Sequence, residues 1–198
     1  MYSKKQLEIR LSKLRVGTGL DSSYEQYPTD PSNAAWIVFK AAMDNNVTNR
    51  SVIDLGTGNG IFAIAAYLMG ADPVTGIDLD GTQVDIALEN AEGMNITFET
   101  KDVTEVMGHF HTAFMNPPFG SVNPHADKPF LSKALNIANW IYSVHNLKSS
   151  EFVRSFYESA AEIVYEEKLD LRMPRLYRYH THDFQIIPAV LFVVKNTG

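Results

Sequence analysis

Seven residues, Asp54-Leu55-Gly56-Thr57-Gly58-Asn59-Gly60, constrain this chain more than any others. A short β-branched run, SVIDL (51–55), leads into them, and a helical pattern, Gly60–Gly70, leads out. Glycines between a strand and a helix let the backbone turn sharply and let a ligand approach it closely. A dinucleotide-binding loop would read G-x-G-x-x-G. Here the third glycine comes one place early, and Ile61 stands where that loop would have its glycine. Asp54 sits two residues before the first glycine, where its charge would repel a pyrophosphate. S-adenosylmethionine (SAM) carries no phosphate, and its sulfonium and ammonium are cationic, so an acid at the loop entrance suits it better.

The strand and helix patterns continue in alternation. Predicted strands are PVTGID (73–78), ITFET (96–100), HTAFMN (111–116) and Trp140–His145, then Tyr165–Leu171 and Gln185–Val194, a pair with no helical pattern between them. Predicted helices cover Met1–Arg15, Asn33–Asp44, Gly60–Gly70, Thr82–Gly93, Lys128–Asn139 and Ser149–Val164. Alternation of this kind implies an α/β fold: a Rossmann-like, seven-stranded, mostly parallel sheet with helices on both faces and a C-terminal antiparallel hairpin. No linker, repeat or low-complexity segment interrupts the 198 residues. Residues 1–198 are therefore expected to be one domain, with a helical extension at 1–50 and a catalytic core at 51–198.

Two further acids fall in register with the glycine loop. Asp78 ends the second strand, where a carboxylate can accept hydrogen bonds from ribose hydroxyls, and Leu79 flanks it. Asp102 and Val103 follow the third strand, placed to take an adenine amine and to pack on its ring. Alone, Asp54 reads as a strand-end cap and Asp78 as a surface turn residue; in register, the three acids point to SAM. Its product would be S-adenosylhomocysteine.

Asn116-Pro117-Pro118-Phe119 follows the fourth strand, at the carboxyl edge of the sheet beside the cofactor crevice. An exocyclic base amine is a poor nucleophile because its lone pair is delocalised into the ring. Two acceptors, the Asn116 side-chain oxygen and the Pro117 carbonyl, can hold its hydrogens and turn the lone pair toward a methyl donor. The prolines stiffen the loop near the attack geometry, and Phe119 offers a face for stacking. A proline turn with a buried phenylalanine is the plain alternative. The tetrapeptide does not separate adenine from cytosine, guanine or a glutamine amide.

Composition narrows the remainder. No cysteine is present, which excludes disulfides and cysteine-ligated zinc, and no His-x-x-x-His suggests another metal site, so no metal is expected. No run approaches ~20 apolar residues, and MYSKKQLEIRLSKLR lacks the apolar core of a signal peptide, so a cytoplasmic protein without a membrane span is predicted. The net charge of −6 argues against a sequence-independent nucleic-acid coat but leaves room for a local basic patch. Arg172, Arg175 and Arg178, interleaved with Tyr177 and Tyr179, form one candidate for contact with RNA, or a solvated loop. His145, ending the fifth strand, reads as structural or substrate-contacting.

DLGTGNG, Asp78 and NPPF resemble the Rossmann-like SAM-dependent N-methyltransferases. Tyr24-Glu25-Gln26-Tyr27-Pro28-Thr29-Asp30-Pro31 is similar to the leader of the methyltransferase-like family that makes N6-methyladenosine in small-subunit ribosomal RNA. KKQLEIRLSKL, the extension of NPPF through Gly120, the Ala126–Leu131 stretch and Tyr142-Ser143-Val144-His145 fit it as well. The resemblance implies that Gln26 and Thr29 touch the cofactor, that Gly56, Asn59 and Ile61 line it alongside Gly58 and Gly60, and that Asn116 to Phe119 are catalytic. It implies an RNA partner, ribosomal in that family, and a small zinc-containing activator subunit of the kind eukaryotic members use. The tail departs from the family in having arginines where lysines are usual. A protein glutamine-amide methyltransferase and a non-catalytic SAM- or RNA-binding scaffold are the alternatives.

Overall fold

The computed structural model describes residues 1–17, 29–119, 126–174 and 184–197. In chain order these form α1 (Lys4–Leu11), α2 (Pro31–Met43), β1 (Val52–Leu55), α3 (Ile61–Leu68), β2 (Val74–Asp78), α4 (Gly81–Asn90), β3 (Thr97–Thr100), β4 (Phe110–Met115), α5 (Lys128–Ile137), β5 (Ala138–Asn146), α6 (Ser150–Glu158), β6 (Ala161–Pro174) and β7 (Phe184–Asn196). Short side chains start several of the helices. Ser3 and Gln6 form a capping box on α1, Asp30 caps α2 ahead of Pro31, and Asp80 caps α4.

All seven strands join one sheet in the order β3-β2-β1-β4-β5-β7-β6. The first five run parallel; β7 lies antiparallel to both β5 and β6. The predicted fold class stands. β1 pairs with β2 on one side and β4 on the other, so the chain order reverses beside β1. At such a switch point the loops leaving neighbouring strands diverge and open a crevice at their carboxyl ends.

The sheet is covered on both faces. One apolar core joins Leu7 and Leu11 of α1, Ile37 and Val38 of α2, and Phe62 and Ile64 of α3 to the sheet. The other joins Leu131 and Ala134 of α5 and Val153 and Tyr157 of α6 to the opposite face. β7 carries a continuous buried run, Ala189–Val194, as a strand covered on both faces must. No helix among the described residues is long and apolar enough to cross a membrane.

Three predicted boundaries move. α1 stops at Leu11, and Arg15 instead turns back onto α4. α5 stops at Ile137, because Ala138 already pairs with Phe110. α6 stops at Glu158, and residues 161–164, predicted helical, belong to β6, where Ala161 faces Asn196 and Ile163 faces Val194. Ladder pairing with β7 overrides the local helical pattern there.

Candidate active site

A cavity of about 200 Å³ opens at the carboxyl ends of β1, β2, β3 and β4. Its floor is the glycine loop. Gly56, Gly58 and Gly60 all take positive φ, at 72°, 53° and 85°, which explains why side-chain-free residues recur there. A Cβ on Gly56 would come within 3.1 Å of the Phe130 ring, so a bare backbone is needed where α5 overhangs the loop. Gly60 serves packing: a Cβ would meet Ala87, Phe98 and Ile64 within 3.2–3.3 Å. It does not line the cavity, in contrast to its predicted cofactor contact.

Asp54 is fully buried at the end of β1, behind the cavity wall rather than on it. Its Oδ2 accepts from Thr57 Oγ1 at 2.7 Å and from the Ala63 amide at 3.0 Å, in the first turn of α3. Its Oδ1 is buried with no hydrogen-bond partner. Burial pushes the carboxyl up to about 7, against those two hydrogen bonds and with help from the nearby Asp78 charge. Asp78 lines the cavity; its Oδ2 accepts from Gly58 N at 2.8 Å and its Oδ1 from Asp80 N at 3.0 Å. Burial raises its pKa too. Asp102 and Val103 also reach the cavity, and Asp102 caps a short 3-10 turn (Val103–Glu105) through Thr104. Thr104's hydrogen bonds hold the Asp102 carboxyl below its ordinary value.

Asn116 and Pro118 lie on the rim. Asn116 Nδ2 donates to Thr29 Oγ1 at 2.9 Å, so a residue just ahead of α2 orients the amide that follows β4. Thr29 is itself on the cavity wall and only 7% exposed. Pro117 is buried next to it. Phe119 is 8% exposed and packs into the core of the α1–α3 face; its ring does not line the cavity, unlike the stacking platform predicted.

Asn59, Ile61 and Leu79 line the cavity, as Gly56 and Gly58 do. Asn59 Nδ2 also donates to the Arg15 carbonyl at 3.1 Å, and Asn90 Nδ2 donates to both the Arg15 and Asn59 carbonyls, at 3.0 and 2.9 Å. This clasp brings Val16 to the cavity edge. Gln26, Arg175 and Arg178 lie outside the described residues. Arg172 lies beside the site's entrance: its amide approaches Asp30 Oδ2 at 3.3 Å, next in sequence to Thr29. His145, 1% exposed, faces Asp127 Oδ2 through Nδ1 at 3.4 Å, behind the rim rather than in the cavity. That pair fixes the start of α5, and so Phe130.

Val16, Phe62, Gln83, Lys101 and Phe130 also stand on the cavity wall, with no motif in the sequence to mark them as site residues. Lys101 adjoins Asp102 and Phe130 falls in the Ala126–Leu131 stretch, while Gln83 carries a signal only as a polar residue on the buried side of α4.

The arrangement fits a nucleoside bearing a cationic group. Asp78 and Asp102 present carboxylates from adjacent strand ends, and Asp54's unsatisfied oxygen lies behind the loop. Among known proteins, the ribosomal protein L11 methyltransferase (PrmA) family model matches residues 38–112, which ends ahead of Asn116 and so bears on the cofactor half alone. The rRNA N(6)-adenosine-methyltransferase METTL5 of Danio rerio is 31% identical over 79% of this chain and 81% of its own. The crystal structure of a candidate RNA methyltransferase from Pyrococcus horikoshii superposes with a TM-score of 0.90, at 29% identity, over 99% of this chain and 98% of that one. A crystal structure from Thermoplasma acidophilum has a TM-score of 0.81 at 41% identity, over the whole of both chains.

Proposed function

The chain belongs to the SAM-dependent methyltransferase family of METTL5, and from that premise we propose that it methylates the N6 amine of an adenosine in RNA, with small-subunit ribosomal RNA the leading substrate. The observation that carries this reading is the Thr29–Asn116 hydrogen bond at 2.9 Å on the rim of a cavity floored by the glycine loop. Names of relatives support it, since the Danio rerio protein acts on rRNA adenosine.

SAM, when bound, supplies an electrophilic methyl on its sulfonium. Gly56, Asn59 and Ile61 would line it, with Thr29 and Gln26 closing on it; Asp78 would hold the ribose, and Asp102 and Val103 the adenine. Asp54 would face the ammonium through the loop. Thr29 holds the nitrogen end of the Asn116 amide, which sets its oxygen as the acceptor for an incoming amine. The Pro117 carbonyl accepts the second amine hydrogen. Together they direct the nitrogen lone pair away from the ring plane and toward the cavity. No strong base is needed before transfer, because the amine proton becomes acidic only once nitrogen carries the new methyl. Pro118 limits loop motion, and Arg172, with Arg175 and Arg178, would take phosphates. A small zinc-containing activator subunit, of the kind eukaryotic members use, would be the chain's protein partner.

Transfer from radiolabelled SAM to total RNA and total protein, taken from cells lacking this enzyme, tests the reading. Label in N6-methyladenosine of small-subunit ribosomal RNA is expected. Label in protein alone would replace it with glutamine-amide methylation on the same loop.

A further inference from the structure

One polar side chain on the cavity wall has no part in the scheme above. α4 buries Val84, Ile86 and Ala87, and Gln83 is as buried as they are, at 6% exposed. Its side chain reaches the cavity, and its amide has no hydrogen-bond partner among the described residues. An amide on a largely buried residue at the cavity wall, with its donor and acceptor both uncommitted, is placed to meet a ligand. A leucine or methionine at this place would pack as well and cost nothing in desolvation.

The turn after β2 fixes where that amide sits. Asp80 N donates to Asp78 Oδ1 at 3.0 Å, and Gln83 N donates to the Asp80 carbonyl at 3.0 Å. Gln83 thus stands in the first turn of α4, close in the chain to Asp78, and both line the cavity. From the other side the chain leaving α1 closes over it: a Cβ on Gly17 would lie 3.0 Å from Gln83 Nε2 and 3.0 Å from Ile86. Between this approach and α4, Gln83 remains part of the cavity wall.

Asp78 and Gln83 differ in what they offer. A carboxylate accepts only, whereas an amide carries a donor and an acceptor in one plane. A hydroxyl both donates and accepts, so it is fully satisfied by one partner of each kind. Asp102 and Val103, the adenine-side groups, come from the separate turn after β3. We infer that Gln83 is a second reader of the cofactor's ribose: Nε2 donates to a hydroxyl oxygen whose proton goes to Asp78. This makes it a specificity-determining residue for ribose over deoxyribose. The inference rests on the methyltransferase reading.

Calorimetric titration of S-adenosylhomocysteine and its 2′-deoxy and 3′-deoxy analogues into the wild-type chain, Gln83→Met and Gln83→Glu tests it. Loss of one neutral hydrogen bond predicts a roughly three- to tenfold weaker S-adenosylhomocysteine complex in Gln83→Met, about the middle of the range for such a bond. The same variant should bind one of the deoxy analogues nearly as the wild type does, so its preference for that hydroxyl shrinks at least threefold. Gln83→Glu, which swaps the donor for a charge beside Asp78 and Asp80, should bind more weakly still. An equal loss for all three ligands, or no loss, would show Gln83 to be a packing residue and overturn the inference. Should Gln83→Met not fold, Gln83→Asn, which keeps the amide but shortens its reach, carries the same comparison. A wild-type chain that binds none of the three would instead sink the methyltransferase reading itself.

Discussion

Asp54 and Asn116 show how single side chains divide the labour of the site. Asp54 is held at about 7 by burial, and only its Oδ2 is satisfied. A cationic ligand needs the ionised form, so its binding should take a proton off this group. Affinity for SAM is then expected to rise with pH, by about tenfold per unit below pH 7, and to level off above it. Titration calorimetry between pH 6 and 8 in buffers of different ionisation enthalpy reads both the trend and the released proton. Asp54→Asn should flatten the profile; a wild-type profile already flat would mean Asp54 does not face the ligand's charge. The linkage runs the other way for the empty protein. A carboxyl raised on folding contributes stability that is complete below its unfolded value and is lost as pH rises through 7. Asn116 makes a separable contribution. Asn116→Ala should abolish methyl transfer while S-adenosylhomocysteine binds within a few fold of wild type, because Thr29, not the cofactor, holds its nitrogen. Single-turnover assays alongside equilibrium binding distinguish the two. The sequence marks both positions because each lies at or near the end of a strand in a recognisable short motif. It does not mark Phe130 and Val16, since each reaches the cavity from an element whose own pattern says nothing of where it packs.

Strands and helices hold the site through a few close approaches. Gly76, in the middle of β2, is the tightest: a Cβ there would lie 2.6 Å from the Phe98 ring and 2.8 Å from Thr57 Oγ1. Thr57 is also the donor to Asp54. Gly76→Ala is therefore expected to cost about 1–3 kcal/mol in overpacking, a drop of several degrees in Tm for a chain this size. It should also weaken cofactor binding, because Thr57 must shift. Thermal melts with and without S-adenosylhomocysteine test both parts; an unchanged Tm would mean β3 moves aside without penalty. Gly76 falls in a predicted strand, but the need for glycine there comes from Phe98 on the neighbouring strand, which no local pattern shows. The same limit explains the α6–β6 boundary. Ser149–Val164 reads as one amphipathic helix, and what converts its last residues to strand is pairing with β7, distant in the chain. His145 adds a further element-level device. Burial holds its pKa below the ordinary histidine value, opposed by Asp127. A base depressed on folding contributes stability that is present above its unfolded value of 6.5 and is lost as pH falls below it. This is the opposite slope to that of Asp54.

The molecule as a whole carries a net charge of −6, so a polyanion can be held only through a local basic surface. If Arg172, Arg175 and Arg178 supply it, about three phosphate contacts follow, and log K for single-stranded RNA should fall against log salt with a slope near −2. Each Arg→Ala change should reduce that slope by about 0.7 without altering cofactor affinity. Filter binding across about 50–300 mM salt measures it. A slope that survives all three changes would place the RNA elsewhere, with the α1 lysines next to test. The sheet's strand order also dictates how such a molecule comes together. β7 lies between β5 and β6 although it follows both in the chain. Until Phe184–Asn196 leaves the ribosome, the flank of β5 that pairs with Ala189–Lys195 stands open, and β6 has no partner on the sheet. An emerging chain can assemble the glycine loop and its neighbours early, from strands close in sequence. It cannot close the sheet until β7 is inserted. The delay leaves an unpaired strand edge exposed during synthesis, the interval in which pairing with another chain competes with completion of the fold.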